Sequence, residues 1–275
     1  MSRQQASPII LCFSGHDPIG GAGIQADIEA IAAQSAHAAT LITALTVQDT
    51  RNVQRIEPVA AETLREAASA VLKDLPVAAF KIGLLGSAEI AQTVANIIRQ
   101  HPGIPLVLDP VLAAGGGKKL SDDRLLEVMR KQLLPLATLL TPNSLEARQL
   151  SGEEDLDLAA QQLLSMGCKN VLITGTHEAT DRVYNTLYTA AGQQVFESER
   201  LPGDYHGSGC TLAATLAARL ALGEEATSAC HHALAYTEHC LRRAHSPGHG
   251  QSLPGRIKKD HEQNAIEDLN PDKDL

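Results

Sequence analysis

Six short apolar runs, each about as long as a buried strand, recur between segments whose apolar residues fall three and four apart. The runs are residues 9–13, 40–46, 78–85, 106–111, 138–141 and 171–174, and the intervening helical patterns cover 24–33, 61–73, 88–100, 124–134 and 158–166. Repeated β-α order of this kind closes economically in one way, as a mainly parallel sheet with helices on both faces, an α/β three-layer αβα sandwich. In such sheets ligands sit beyond the carboxyl ends of the strands. The residues just after these runs are polar and glycine-rich, which marks them as the candidate site. Residues 182–188 and 193–199, joined through Ala191 and Gly192, read as an antiparallel hairpin. Two helices, 210–222 and 226–243, then close a single domain spanning residues 1–250. Residues 251–275 read as a charged C-terminal tail, with too few apolar positions for a core of its own.

Composition narrows the function classes. The 275 residues are 44% hydrophobic but only 3% aromatic, with no Trp, which suits helices packed on a sheet and disfavours base-stacking platforms. A formal net charge of −9 repels polyanions, so nucleic acid is not an expected partner and any anionic ligand must be held by local donors. Five widely spaced cysteines with no C-x-x-C pair read as free thiols. No apolar stretch approaches the roughly 20 residues of a membrane span, and the start of the chain does not read as a signal peptide. A cytoplasmic protein with no membrane partner is the expectation.

Tyr205-His206-Gly207-Ser208-Gly209-Cys210-Thr211 opens a helical run through Leu212, Leu216 and Leu220. Gly207, Ser208 and Gly209 would let successive N–H groups converge on an oxyanion at a helix start, where the helix dipole also favours phosphate. Cys210 lies in the same field, which lowers a thiol pKa and would let it act as a base. The same residues also suit a plain capping turn with a buried cysteine. The first apolar run empties into Ser14-Gly15-His16-Asp17-Pro18-Ile19-Gly20-Gly21-Ala22-Gly23, with Asp27 about one helical turn further on. This spelling matches neither the dinucleotide nor the P-loop fingerprint. Asp27 could accept from an amino or hydroxyl group, and Gln48 could read a heterocycle edge. Asp109 and Glu146 offer hard oxygens for Mg²⁺. Asn143 and Glu146, three apart, suit either a shared site or local capping. Lys118 and Lys119 could reach phosphates, and His231, His232 and His239 read as solvated helix residues rather than metal ligands.

In order, SGHDPIGGAGIQAD (14–27), ITALTVQDT (42–50), KIGLLGS (81–87), VLDPV (107–111), TPNSLEA (141–147) and HGSGCTLAATLAA (206–218) resemble the hydroxymethylpyrimidine/phosphomethylpyrimidine kinases of thiamine biosynthesis, across about residues 8–250. The resemblance implies a ribokinase-like fold and transfer of phosphate from ATP, with Mg²⁺, to the hydroxymethyl group of 4-amino-5-hydroxymethyl-2-methylpyrimidine and then to its monophosphate. It implies that Gly15, Asp27, Gln48 and Leu84 meet the pyrimidine, that Asp109 and Glu146 hold the metal, and that Asn143 and Thr174 face the nucleotide. It places the anion hole at Gly207–Cys210, with Cys210 activating the hydroxyl, and implies a homodimer. The chain departs from the family pattern at Thr174, where the family commonly carries lysine, and at Leu84, where it carries methionine. Pyridoxal or pyridoxine kinase, and a catalytically degenerate pyrimidine sensor, are the competing readings.

Overall fold

The computed structural model describes residues 7–113, 116–117 and 120–257, so Lys118 and Lys119 lie outside the described residues. The chain runs β1 (Ile9–His16), α1 (Gly23–Ala32), β2 (His37–Gln48), β3 (Val53–Pro58), α2 (Ala61–Asp74), β4 (Val77–Ile82), α3 (Ala88–Arg99), β5 (Leu106–Leu108) and α4 (Asp123–Val128). It continues through β6 (Leu139–Leu140), α5 (Ser144–Ser151), α6 (Leu156–Ser165), β7 (Val171–Ile173), β8 (Arg182–Thr189), β9 (Gly192–Glu199), α7 (Ser208–Ala221) and α8 (Ala226–Arg242). One nine-stranded sheet has the order β3-β2-β1-β4-β5-β6-β7-β8-β9. The strands from β2 to β7 pair in parallel, and the two edges, β3 and the β8–β9 hairpin, are antiparallel.

Strand alternation builds two cores from one sheet. Leu11 and Phe13 of β1 join Phe80, Ile82, Leu106 and Leu108 beneath α2 to α6, while Ile10, Cys12, Ala79 and Val107 pack against α1, α7 and α8. Lys81 falls on the second face, between Phe80 and Ile82, and is fully buried.

Three local differences from the sequence expectation have clear causes. β3 is mostly polar and exposed and carries Pro58, which suits an edge strand, so no apolar run announces it. The helix expected over 124–134 is regular only to Val128, widening through a π turn at Met129–Leu133 into a 3-10 turn at Leu134–Leu136. Pro135, in that last turn, has no N–H to continue an α-helical ladder. Residues 251–256, read as the start of a charged tail, are bonded to the body: His245 pairs with Leu253 and Tyr205 with Ser252.

Candidate active site

A cavity of about 1040 Å³ opens at the carboxyl ends of the central strands and the start of α7. β1 is flanked by β2 on one side and β4 on the other, so the chain reverses its direction of travel across the sheet there, which is where α/β sheets leave a crevice. Gly15, Gln48 and Leu84 line one part of the cavity. Asp109, Asn143, Glu146 and Thr174 line another, and Gly207, Ser208, Gly209 and Cys210 line the cavity as well. Asp27 is absent from the wall.

The first turn of α7 is built to receive something from outside the chain. Its N-cap, Gly207, has φ 92°, and no side chain among the described residues caps it. A Cβ at Gly207 would overlap the carbonyl oxygen of Gly21, so only glycine fits this close approach of two loops. α5 also starts at the cavity but is closed by its own residues. The Asn143 carboxamide oxygen accepts from Glu146 N at 2.9 Å, and Glu146 Oε2 accepts from Asn143 N at 3.0 Å, a complete capping box. Glu146 Oε1 accepts from Leu112 N at 3.0 Å. Burial raises the Glu146 pKa, against the pull of these two backbone donors.

Asp27, expected to meet the pyrimidine, is fully buried, and its carboxylate is taken up inside the protein. Oδ1 lies 2.8 Å from Lys81 Nζ, and Oδ2 accepts from Ser14 Oγ at 2.6 Å. Lys81 Nζ in turn lies 3.0 Å from Ser14 Oγ. Burial alone would discharge Lys81, but Asp27, Cys210 and Asp109 together hold its pKa well above the ordinary lysine value. Removing one partner of a fully buried ion pair costs about 3–5 kcal/mol, so Asp27 and Lys81 are tied to each other before either can serve a ligand.

The thiol of Cys210 also departs from expectation. It is partly exposed, but desolvation in this cleft pushes its pKa up to about 11; Lys81 opposes the rise, and Asp109 and Asp27 add to it. The helix start does not leave the thiol ionised at neutral pH, because its removal from water outweighs both the favourable field and the charge of Lys81. Asp109, beside the Cys210 side chain, is raised by burial to about 7, with Lys81 pulling down and Glu146 and Asp27 pushing up.

Several functional candidates escape a reading of the motifs. Lys81 lies in the KIGLLGS segment, where a lysine between apolar strand residues is itself a signal that a counter-charge lies nearby. Asp17 accepts from Ile19 N, Ala22 N and His206, whose Nε2 is 2.9 Å away, so it joins the first glycine-rich loop to the residue before Gly207. These hydrogen bonds hold Asp17 below the ordinary carboxylate pKa although burial opposes them. Thr174 reaches the cavity wall by extending β7 alongside Asn143. Arg200 stands on the same wall and donates to the carbonyls of Thr176, Glu178 and Thr180. Among the described residues, no three His, Cys, Asp or Glu side chains form a metal cage.

The profile of the family described as phosphomethylpyrimidine kinase matches residues 17–254. The chain is 41% identical over 260 residues to the hydroxymethylpyrimidine/phosphomethylpyrimidine kinase of Synechococcus elongatus, covering 92% of this chain and 98% of that one. Among solved structures, an ADP complex of Bacillus subtilis pyridoxal kinase superposes with a TM-score of 0.85 at 29% identity, covering 91% of this chain and 97% of that one. The phosphomethylpyrimidine kinase of Clostridium difficile superposes with a TM-score of 0.76 at 30% identity, covering 86% and 100%.

Proposed function

The chain belongs to the phosphomethylpyrimidine kinase family, and from that footing we propose how its residues divide the work. Its fold is ribokinase-like, and it is a kinase that uses ATP to phosphorylate hydroxymethylpyrimidine and then the resulting monophosphate, in thiamine biosynthesis. The carrying observation for the site is the open start of α7, with Cys210 and Asp109 side by side in the cavity that Gln48 and Leu84 also line.

Phosphoryl transfer asks a protein mainly for positioning and for neutralisation of charge. The N–H groups of Gly207–Cys210 receive the oxygens of the transferring phosphoryl group, since no cap competes for them. Gln48 reads the aminopyrimidine edge, Gly15 allows the ring to approach the backbone, and Leu84 packs on its face. Asp27 acts from behind this surface, by fixing Lys81 and Ser14 under Gly15. Cys210 takes the proton of the attacking hydroxyl in its thiolate form, the minor species in the cavity, which the buried charge of Lys81 favours. Asn143 and Thr174 contact the nucleotide phosphates, with Arg200 on the same cavity wall.

The donor set suits Mg²⁺. Asp109 Oδ2 is buried with no hydrogen-bond partner among the described residues, and Glu146 retains lone pairs beyond its two backbone bonds. Mg²⁺ keeps most of its waters and its phosphate ligands, so one or two carboxylates suffice without a closed cage. Asp109 and Glu146 would hold the ion, which supplies charge neutralisation on the phosphates when bound. Leu45 and Val47, 48% and 44% exposed on one face of β2, support a homodimer, which light scattering tests. A cytoplasmic location accords with the finding that no helix among the described residues is long and apolar enough to cross a membrane.

The decisive assay supplies MgATP with hydroxymethylpyrimidine, its monophosphate or pyridoxal, and follows each product by mass spectrometry. Pyrimidine diphosphate from both pyrimidines is the expected result. Pyridoxal phosphate alone would turn the assignment to pyridoxal kinase, the second reading that the 0.85 superposition keeps in play. Pyrimidine binding with no product would mark a sensor.

A further inference from the structure

Arg256 is a buried cation that faces neither the cavity nor solvent. It is 5% exposed although it opens the charged C-terminal stretch. Its Nε donates to Thr211 Oγ1 at 2.8 Å, and its Nη1 reaches Glu29 Oε2 at 3.0 Å and, more loosely, Gly20 O at 3.5 Å. Its Nη2 donates to Gly21 O. Thr211 Oγ1 passes the connection on to Gly207 O at 2.8 Å. One guanidinium therefore joins the first glycine-rich loop, α1 and the opening turn of α7, a set of directions that the planar fork of arginine satisfies and a lysine ammonium does not.

The backbone leading to Arg256 is fastened with equal care. Gln251 N donates to Thr50 O at 2.8 Å, just past Gln48; Ser252 exchanges bonds with Asp204 and His206, each at 2.9 Å; and Gly255 N donates to Cys240 O at 2.9 Å. The consequence appears at Gly207, where a Cβ would overlap Gly21 O and lie 2.9 Å from Arg256 Nη2. The guanidinium thus stands directly behind the glycine that opens the anion-binding turn, at the point where that turn meets the loop on the acceptor side.

We infer that Arg256 is a positioning residue for phosphoryl transfer, setting the spacing between the loop that holds the acceptor and the turn that holds the moving phosphoryl group. This inference rests on the kinase reading given under Proposed function. In-line transfer is sensitive to such spacing: a misplacement near 1 Å costs about 100-fold in rate. Because Arg256 touches neither substrate, its loss lowers kcat and leaves both KM values nearly unchanged.

The test uses the full chain, with Arg256→Ala and Arg256→Lys assayed on hydroxymethylpyrimidine and ATP and folding checked by circular dichroism. The expected result for Arg256→Ala is a kcat loss of about 100-fold with each KM within about threefold. Added guanidinium ion at millimolar concentration should restore about tenfold of that loss and leave the wild type unmoved. A kcat within twofold of wild type, a loss confined to KM, or a loss without guanidinium rescue would overturn the inference. If Arg256→Ala does not fold, a folded Arg256→Lys with kcat reduced at least tenfold supports the inference, and one with wild-type kcat overturns it. A wild-type chain that phosphorylates neither pyrimidine overturns the kinase reading, and this inference with it; an active wild type with unaffected variants overturns this inference alone.

Discussion

Two helices begin at the same cavity, and only one of them is capped. α5 spends its first N–H groups on Asn143 and Glu146, a reciprocal pair three residues apart, whereas α7 begins at Gly207 in left-handed backbone with no side chain to receive its donors. A helix start leaves N–H groups that need acceptors. α5 meets this need with its own capping box; α7 has no side-chain cap, and on the proposed reading its donors serve a phosphate. The difference separates two uses of one structural feature, with α5 carrying carboxylate and amide side chains to the rim and α7 presenting backbone to the reaction.

The sharpest way to break this contrast is Gly207→Ala. The added methyl meets Gly21 O in a conformation that alanine resists, so the turn must move. Loss of a preorganised anion hole predicts a fall in kcat/KM of about 1,000-fold, measured by steady-state kinetics, together with a lower Tm. Cys210→Ala keeps the turn and removes the proton acceptor. Its kcat should fall about 100-fold while KM for ATP stays within about threefold. A rise in KM with kcat intact would move the thiol out of the chemistry and into nucleotide binding.

Asp109 faces the open helix end, beside Cys210, and its ionisation sharpens the comparison through stability. Its folded pKa of about 7 lies above the ordinary carboxylate value near 3.9, so between those limits the native state holds a proton that the unfolded chain has released. The contribution is present in full below about pH 4 and is lost as pH rises to about 7. In Mg²⁺-free buffer, Asp109→Asn should therefore match wild type near pH 4 and exceed it by up to about 4 kcal/mol at pH 7.5, measured by denaturant unfolding. A constant difference across that range would show that burial of Asp109 is already compensated.

What the sequence reveals of this site follows from where its chemistry lies. Strand carboxyl ends are legible because apolar runs stop abruptly at glycine and polar residues, which is how Gly15, Gln48, Asp109 and Glu146 can be placed around one crevice. The side of α1 on which Asp27 falls is not legible, since its spacing is equally compatible with the cavity and with the sheet. Its partner settles the matter: Lys81 arrives from β4, 54 positions later in the chain, on the face where α1 packs. The pKa of Cys210 is set first by desolvation in a cleft that only the fold creates, and so is misjudged from the helix start alone. β3 escapes because an edge strand needs no apolar run. Arg256 escapes because neither its charged neighbours nor its spacing announces burial; only the fold brings Gly21, Glu29 and Thr211 around it.

The capped end supplies the smallest effect and the cleanest control. Asn143→Ala removes the acceptor for Glu146 N and frees one half of the capping box, which costs about 1 kcal/mol of stability by the usual worth of an N-cap. Glu146 keeps its bond from Leu112 N and stays in place. Asn143 also lines the cavity, and on the proposed contact with the nucleotide KM for ATP should rise a few-fold while kcat holds within about twofold. If Asn143→Ala instead reduced kcat as far as Cys210→Ala does, with little loss of stability, the cap of α5 would be part of the transferring machinery. The division of labour between a closed helix start and an open one would then fail.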